Sequence, residues 1–147
     1  QALLTHLSLR FKNNSLHESV ALLKKIALPF SVVVTIITAF VYIFAPQITD
    51  ILCGEGYTDS IPLVRIMTLV ILFGEINYLV GIVGLINMNG QRYFFRSVMI
   101  VGVFSVLFML SLLPHYGVNI AAWAMSLAEI LLFLLCILSL YRINKRV

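Results

Sequence analysis

Four long apolar runs divide the sequence and constrain its fold more than any other feature. They cover residues 26–45, 62–87, 97–113 and 119–141, and three short polar connections separate them. A helix needs about 20 apolar residues to cross the hydrocarbon core of a bilayer. With 61% hydrophobic and only 11% charged residues, the chain has too little polar surface for a soluble domain. We therefore predict an all-α membrane protein whose residues 26–147 form four transmembrane helices.

The charges at the connections predict the orientation of these helices. Basic residues precede the first span, occupy the second connection and follow the fourth span. The first connection instead carries three acidic residues, and the third has no formal charge. The positive-inside rule places the basic side in the cytoplasm. We therefore expect a multi-pass protein with both termini cytoplasmic and with loops 46–61 and 114–118 external.

Residues 1–25 do not form a fifth span in this interpretation. Residues 1–12 have the pattern expected at the cytoplasmic end of a preceding span that the chain lacks. Ser15 and Glu18 match a capping box, which predicts an amphipathic helix that continues into the first span. Because the chain begins at Gln1 without a signal peptide, we expect it to be a fragment of a longer protein.

Polar and small residues recur along one face of three predicted spans. Positions four, seven and eleven residues apart share a face of an α-helix, and the first and fourth spans follow this spacing. In the second span, glycines and asparagines lie within an arc of about 140°. Small and hydroxyl residues let helices approach closely and hydrogen-bond. We interpret these residues as helix-packing or cavity-lining: Ser31, Thr35, Thr38, Tyr42, Gly81, Gly84, Ala122 and Ser126.

Two glutamates lie near the middle of predicted spans, Glu75 in the second and Glu129 in the fourth. A carboxylate that faces lipid at this depth is costly, and burial favours the protonated form of the group. Either glutamate would therefore suit proton coupling, or would serve as a neutral hydrogen-bonding group with a purely structural role. We name both, together with Asn77 and Arg65 in the second span, as candidates for substrate or ion coupling.

The sequence contains no arrangement typical of catalysis. Its three histidines are spread over the chain, and no phosphate-binding glycine loop, metal-ligand spacing or nucleophile with a nearby base is present. We predict that the protein is not an enzyme, holds no metal or cofactor and binds no nucleic acid.

Three short motifs resemble one family of membrane transporters. They are F-A-P-x-I-x-x-x-L-x-G-x-x-Y from Phe44 to Tyr57, N-M-N-G-Q-R at 87–92, and P-H-Y-G-V at 114–118 followed by small residues and Glu129. In this order and spacing they resemble the polysaccharide and O-antigen flippases of the multidrug/oligosaccharidyl-lipid/polysaccharide exporter superfamily. Among the candidate site residues, the resemblance carries over only to Glu129.

The resemblance implies a fold and a function. The four spans would be the last part of the C-terminal lobe of a twelve-helix, MATE-like transporter in the bacterial inner membrane. It would export undecaprenyl-pyrophosphate-linked oligosaccharides by alternating access, for O-antigen, lipopolysaccharide or other polysaccharide biosynthesis. Implied partners are the bilayer, the lipid-linked oligosaccharide, the missing N-terminal lobe, and polysaccharide polymerase and chain-length proteins. Arg65 would then contact the pyrophosphate, or would anchor the helix at the interface.

Two other functions remain open. A cation-coupled drug antiporter of the same superfamily would need an ion-binding acid inside the bundle. A small four-helix membrane scaffold or assembly subunit would have no transport role.

Overall fold

The computed structural model describes residues 16–54, 56–117 and 119–145, which form helices joined by short turns and contain no strand. The helices are α1 (Leu16–Ile43), α2 (Ala45–Cys53), α3 (Ile61–Asn77), α4 (Gln91–Tyr116) and α5 (Asn119–Asn144). A π-helical segment, Tyr78–Ile86, continues α3. Within the described residues, four helical stretches are long and apolar enough to cross a membrane: Glu18–Ile43, Thr58–Ile86, Gln91–Tyr116 and Asn119–Ile143. The prediction of an all-helical chain with four such helices is confirmed.

The predicted amphipathic segment and the first span form one continuous helix. α1 runs for 28 residues and includes Pro29 without interruption. Residues 1–12 and the Ser15 of the predicted capping box lie outside the described residues. No boundary separates residues 16–25 from the first span.

The connection predicted as loop 46–61 contains a helix of its own. Pro46 lies in the first turn of α2, where its missing N–H is not needed and its fixed φ suits the helix. The side chains of Ala45 and Thr49 are buried, and Gly54, at a φ of 87°, ends the helix. Only glycine adopts such a conformation without strain. Pro46 therefore starts a short helix in this connection, and Gly54 ends it.

The third predicted span is longer in the structure than its apolar run. α4 has 26 residues, so Arg92 and Arg96, predicted in the second connection, lie in its first two turns. His115, expected in a loop, lies in its last turn and is exposed. The connection before α4 shortens to residues 87–90, where Asn89 has a φ of 61°. Asparagine is among the residues that tolerate this conformation.

α5 packs against both α3 and α4, and α1 packs against α3. Two apolar clusters lie where α1 begins and α5 ends. One contains Leu23, Leu79, Val83 and Met88, and the other contains Val80, Leu85 and Cys136. The outer faces of α1 and α4 expose large apolar side chains, among them Ile36, Phe40, Met99 and Leu107, as expected of helices in contact with lipid.

Candidate functional site

A polar contact joins the second and fourth membrane-spanning helices near their middles. Asn77, the last residue of α3, is 4% exposed. Its Nδ2 atom donates hydrogen bonds to the Oε2 atom of Glu129 at 2.7 Å and to the backbone carbonyl oxygen of Glu129 at 2.8 Å. The Oδ1 atom of Asn77 is buried without a hydrogen-bond partner. A buried polar atom without a partner is costly, so this oxygen is available to a donor or a cation.

Gly74, one turn before Asn77, lies at an ordinary van der Waals distance from this carboxyl group. A methyl group built at Gly74 would lie 3.9 Å from both Cδ and Oε2 of Glu129. The carboxyl group therefore lies across backbone that carries no side chain. Asn77 also lies at the junction between α3 and the π-helical segment. Short π-helical turns occur often at functional sites, because they change the direction of side chains within a helix.

A second contact brings α3 and α5 together about one turn from Glu129. Ser126 is fully buried, and its hydroxyl group lies 3.1 Å from the carbonyl oxygen of Ile66 and 2.9 Å from that of Ala122. Ala122 is also buried. These two residues, named in the sequence as packing residues, lie where α5 meets α3.

Gly81 and Gly84, in the π-helical segment, are in close contact with neighbouring helices. A Cβ atom built at Gly81 would overlap the ring of Phe94 in α4, and one built at Gly84 would lie 2.7 Å from Cδ2 of Leu23 in α1. Both sites therefore require glycine for the observed packing. The sequence identified the glycines but not Phe94 or Leu23, because nothing local indicates which side chain a glycine will meet.

The polar face of the first span lies along a groove of about 360 Å³ between α1 and α3, lined in part by Thr35, Thr38, Tyr42 and Thr68. The Thr35 hydroxyl donates to the Ser31 carbonyl oxygen at 2.7 Å. The Thr38 hydroxyl is buried without a partner. Thr68, buried in α3, is a groove residue that sequence reasoning missed.

Arg65 and Tyr42, named separately in the sequence, are brought together at one end of this groove. The Cζ atom of Arg65 lies 5.3 Å from the centroid of the Tyr42 ring, within the range of a cation–π interaction. The contact ties the start of α3 to the end of α1.

Glu75 is not part of the contact between α3 and α5. Its side chain is exposed, and no hydrogen bond or ion pair joins it to another residue in the described part of the chain. It shares the outer face of α3 with the exposed side chains of Met67, Ile71 and Tyr78. The two intramembrane glutamates therefore occupy different environments.

No group of three His, Cys, Asp or Glu side chains that could hold a metal lies within the described ranges. No family model matches the chain, and comparisons with curated proteins and with solved structures find no match.

Proposed function

We propose that the chain is part of a flippase that exports undecaprenyl-pyrophosphate-linked oligosaccharides across the bacterial inner membrane by alternating access. Its four spans belong to the C-terminal lobe of a twelve-helix transporter, with both termini in the cytoplasm. The three motifs between residues 44 and 129 support this proposal, as do the four apolar helices. In such transporters, one helical bundle rocks against the other around a binding site near the middle of the membrane.

The contact between Asn77 and Glu129 is the observation that carries a transport role. Ionisable residues inside membrane spans are rare, and they commonly mark ion pathways or proton relays. The Glu129 side chain accepts a hydrogen bond from Asn77, on another helix, at 2.7 Å. The Oδ1 atom of Asn77 is buried without a hydrogen-bond partner. A donor or a cation at this contact would satisfy it.

The outer face of α3 (Met67, Ile71, Glu75 and Tyr78) lines the central cavity in this proposal. An exposed carboxyl group in the middle of a span is costly against lipid, so contact with water or with polar substrate is the favourable arrangement. Arg65 lies near the start of the same helix, and its side chain is exposed beside the ring of Tyr42. A guanidinium group there would bind a pyrophosphate oxygen.

The test is Glu129→Gln in the protein expressed from its complete gene. Glutamine keeps an oxygen that accepts from the Asn77 amide but cannot gain or lose a proton. In a strain that lacks its own flippase, we expect the variant to produce less surface polysaccharide than the wild type at every pH from about 6 to about 8. The melting temperature and membrane level of the variant should match those of the wild type.

Each other outcome has a defined meaning. Unchanged export over this pH range would remove Glu129 from coupling, and a parallel loss of export and melting temperature would make its role structural. In the same strain, a wild-type gene that confers resistance to cationic drugs without restoring polysaccharide export would favour the antiporter. A wild-type gene that supports neither activity would favour a scaffold subunit.

A further inference from the structure

A second groove lies between α1 and α5, at the end of the bundle where α1 begins and α5 ends. Its volume is about 300 Å³. Aliphatic side chains of α1, α5 and the π-helical segment line it, among them Leu23, Val80 and Leu140. Among the described residues, the polar side chains that line it are Lys24 and Tyr141, on either side of the groove, and both are exposed. The groove is therefore apolar with a cation and a phenol group at its rim.

The position of the groove indicates what fills it. It opens between two helices that are long and apolar enough to cross a membrane, so lipid acyl chains would be in contact with it. Lysine side chains near helix ends extend toward the lipid headgroups, and tyrosine favours the same interface. An acyl chain in the groove would therefore place its headgroup beside Lys24 and Tyr141.

The positive charge at this end of the bundle favours an anionic lipid headgroup. The described residues there include one acid, Glu18, and a larger set of bases: Lys24, Lys25, Arg92, Arg96, Arg142 and Lys145. Basic residues at a membrane surface attract anionic lipids, and basic pockets between spans bind their headgroups. A zwitterionic lipid would fill the apolar part of the groove, but Lys24 would attract its headgroup less strongly because that headgroup has no net charge.

We propose that this groove binds an anionic glycerophospholipid of the bilayer, with one acyl chain against Leu23, Val80 and Leu140 and its phosphate beside Lys24. Neither flippase activity nor Glu129 is needed for this site. The lipid would cover the gap between α1 and α5 and hold the first and last spans together.

Binding of phosphatidylglycerol to the full-length protein in detergent tests the proposal, with native mass spectrometry as the readout. The wild type should retain phosphatidylglycerol in preference to phosphatidylcholine with the same acyl chains. Lys24→Gln should weaken phosphatidylglycerol binding about fivefold, as expected for one basic residue at a lipid surface. Lys25→Gln is the matched control, because Lys25 is exposed on the same helix but does not line the groove.

A second pair of variants tests the apolar part. Ile137 lines the groove, whereas its neighbour Leu138 does not, and the two side chains are 43% and 52% exposed. Ile137→Trp should displace the lipid, and Leu138→Trp should not. Equal losses in the two lysine variants, or equal binding of phosphatidylcholine, would overturn the proposal. Displacement of phosphatidylglycerol by a polyprenyl pyrophosphate at lower concentration would also overturn it, because the groove would then belong to that lipid.

Discussion

Asn77 and Glu129 lie near the middle of two different spans, and each offsets part of the cost of placing the other there. The Asn77 amide donates to both the side chain and the backbone of Glu129. A hydrogen bond between polar side chains of two helices contributes only about 1 kcal/mol to stability in a membrane. The contribution is small because the same polar groups also find hydrogen-bond partners when the helices are apart. The contact therefore holds α3 and α5 in register without dominating the stability of the bundle.

Replacing Asn77 tests this contact directly. Asn77→Ala should lower the free energy of unfolding by about 1 kcal/mol, because Glu129 loses its interhelical donor. Thermal or denaturant unfolding of the purified protein measures the change. Asn87→Ala is the matched control, because the Asn87 side-chain amide donates to the carbonyl oxygen of Val83, one turn earlier in the chain, at 2.9 Å. An equal loss in both variants would contradict an interhelical role for Asn77.

The span formed by α3 and the π-helical segment has the most close contacts with its neighbours. Its inner face contacts Glu129 and Phe94, and its outer face carries Glu75. The span ends in a tight turn, where the Gly90 N–H donates to the Leu85 carbonyl oxygen at 2.7 Å. This turn brings α4 back along the bundle and places Gly90 beside Ile143, near the end of α5.

Gly90 should tolerate no side chain, although its φ of −87° is accessible to any residue. A Cβ atom there would lie 2.8 Å from the Leu85 carbonyl oxygen and 2.9 Å from Cδ1 of Ile143. Gly90→Ala should therefore lower the free energy of unfolding by about 1–3 kcal/mol. Gly102→Ala is the control, because nothing lies within 4 Å of a Cβ atom built there. It should leave stability unchanged or raise it by up to about 1 kcal/mol, and similar losses in both would contradict the packing at Gly90.

Over the described residues, charge is distributed asymmetrically along the long axis of the helical bundle. Lys24, Arg92 and Arg142 lie at one end of the bundle, and Asp50 and Asp59 lie beyond the other end, in and after α2. An excess of lysine and arginine is typical of cytoplasmic ends. The same asymmetry supports both the proposed orientation and the proposed phospholipid groove, which lies at the basic end.

The proposed orientation in the bacterial inner membrane predicts which side of the membrane a thiol reagent reaches. Cys53, at the end of α2, is exposed, and Cys136 is buried. A membrane-impermeant maleimide should label Cys53 from the periplasm, and Cys53→Ser should abolish the labelling. A Cys53→Ser, Lys145→Cys variant, in a background without other accessible cysteines, should react only after the inner membrane is permeabilised. Labelling of the Lys145→Cys variant in intact spheroplasts would contradict the proposed orientation.

The number and approximate limits of the membrane-spanning helices could be predicted from the sequence, because apolar length is a local property that a bilayer selects directly. The positions of the polar residues within the spans were also readable, since helical spacing assigns them to faces. The motif between Phe44 and Tyr57 did not predict α2. Its acidic residues and glycines indicated a loop, whereas the structure forms a helix there and buries the side chains of Ala45 and Thr49.

Only the tertiary structure decided which of these faces meet. Asn77 and Glu129 are separated by 52 residues along the chain, and no local pattern specifies that contact. Their positions within the spans made both Glu75 and Glu129 candidates, and only the family resemblance singled out Glu129. In the structure, Glu129 is the one of the two whose side chain has a hydrogen-bond partner among the described residues. Which glutamate is paired depends on the relative rotation of α3 and α5, and that rotation is set by side-chain packing between helices rather than by apolar length.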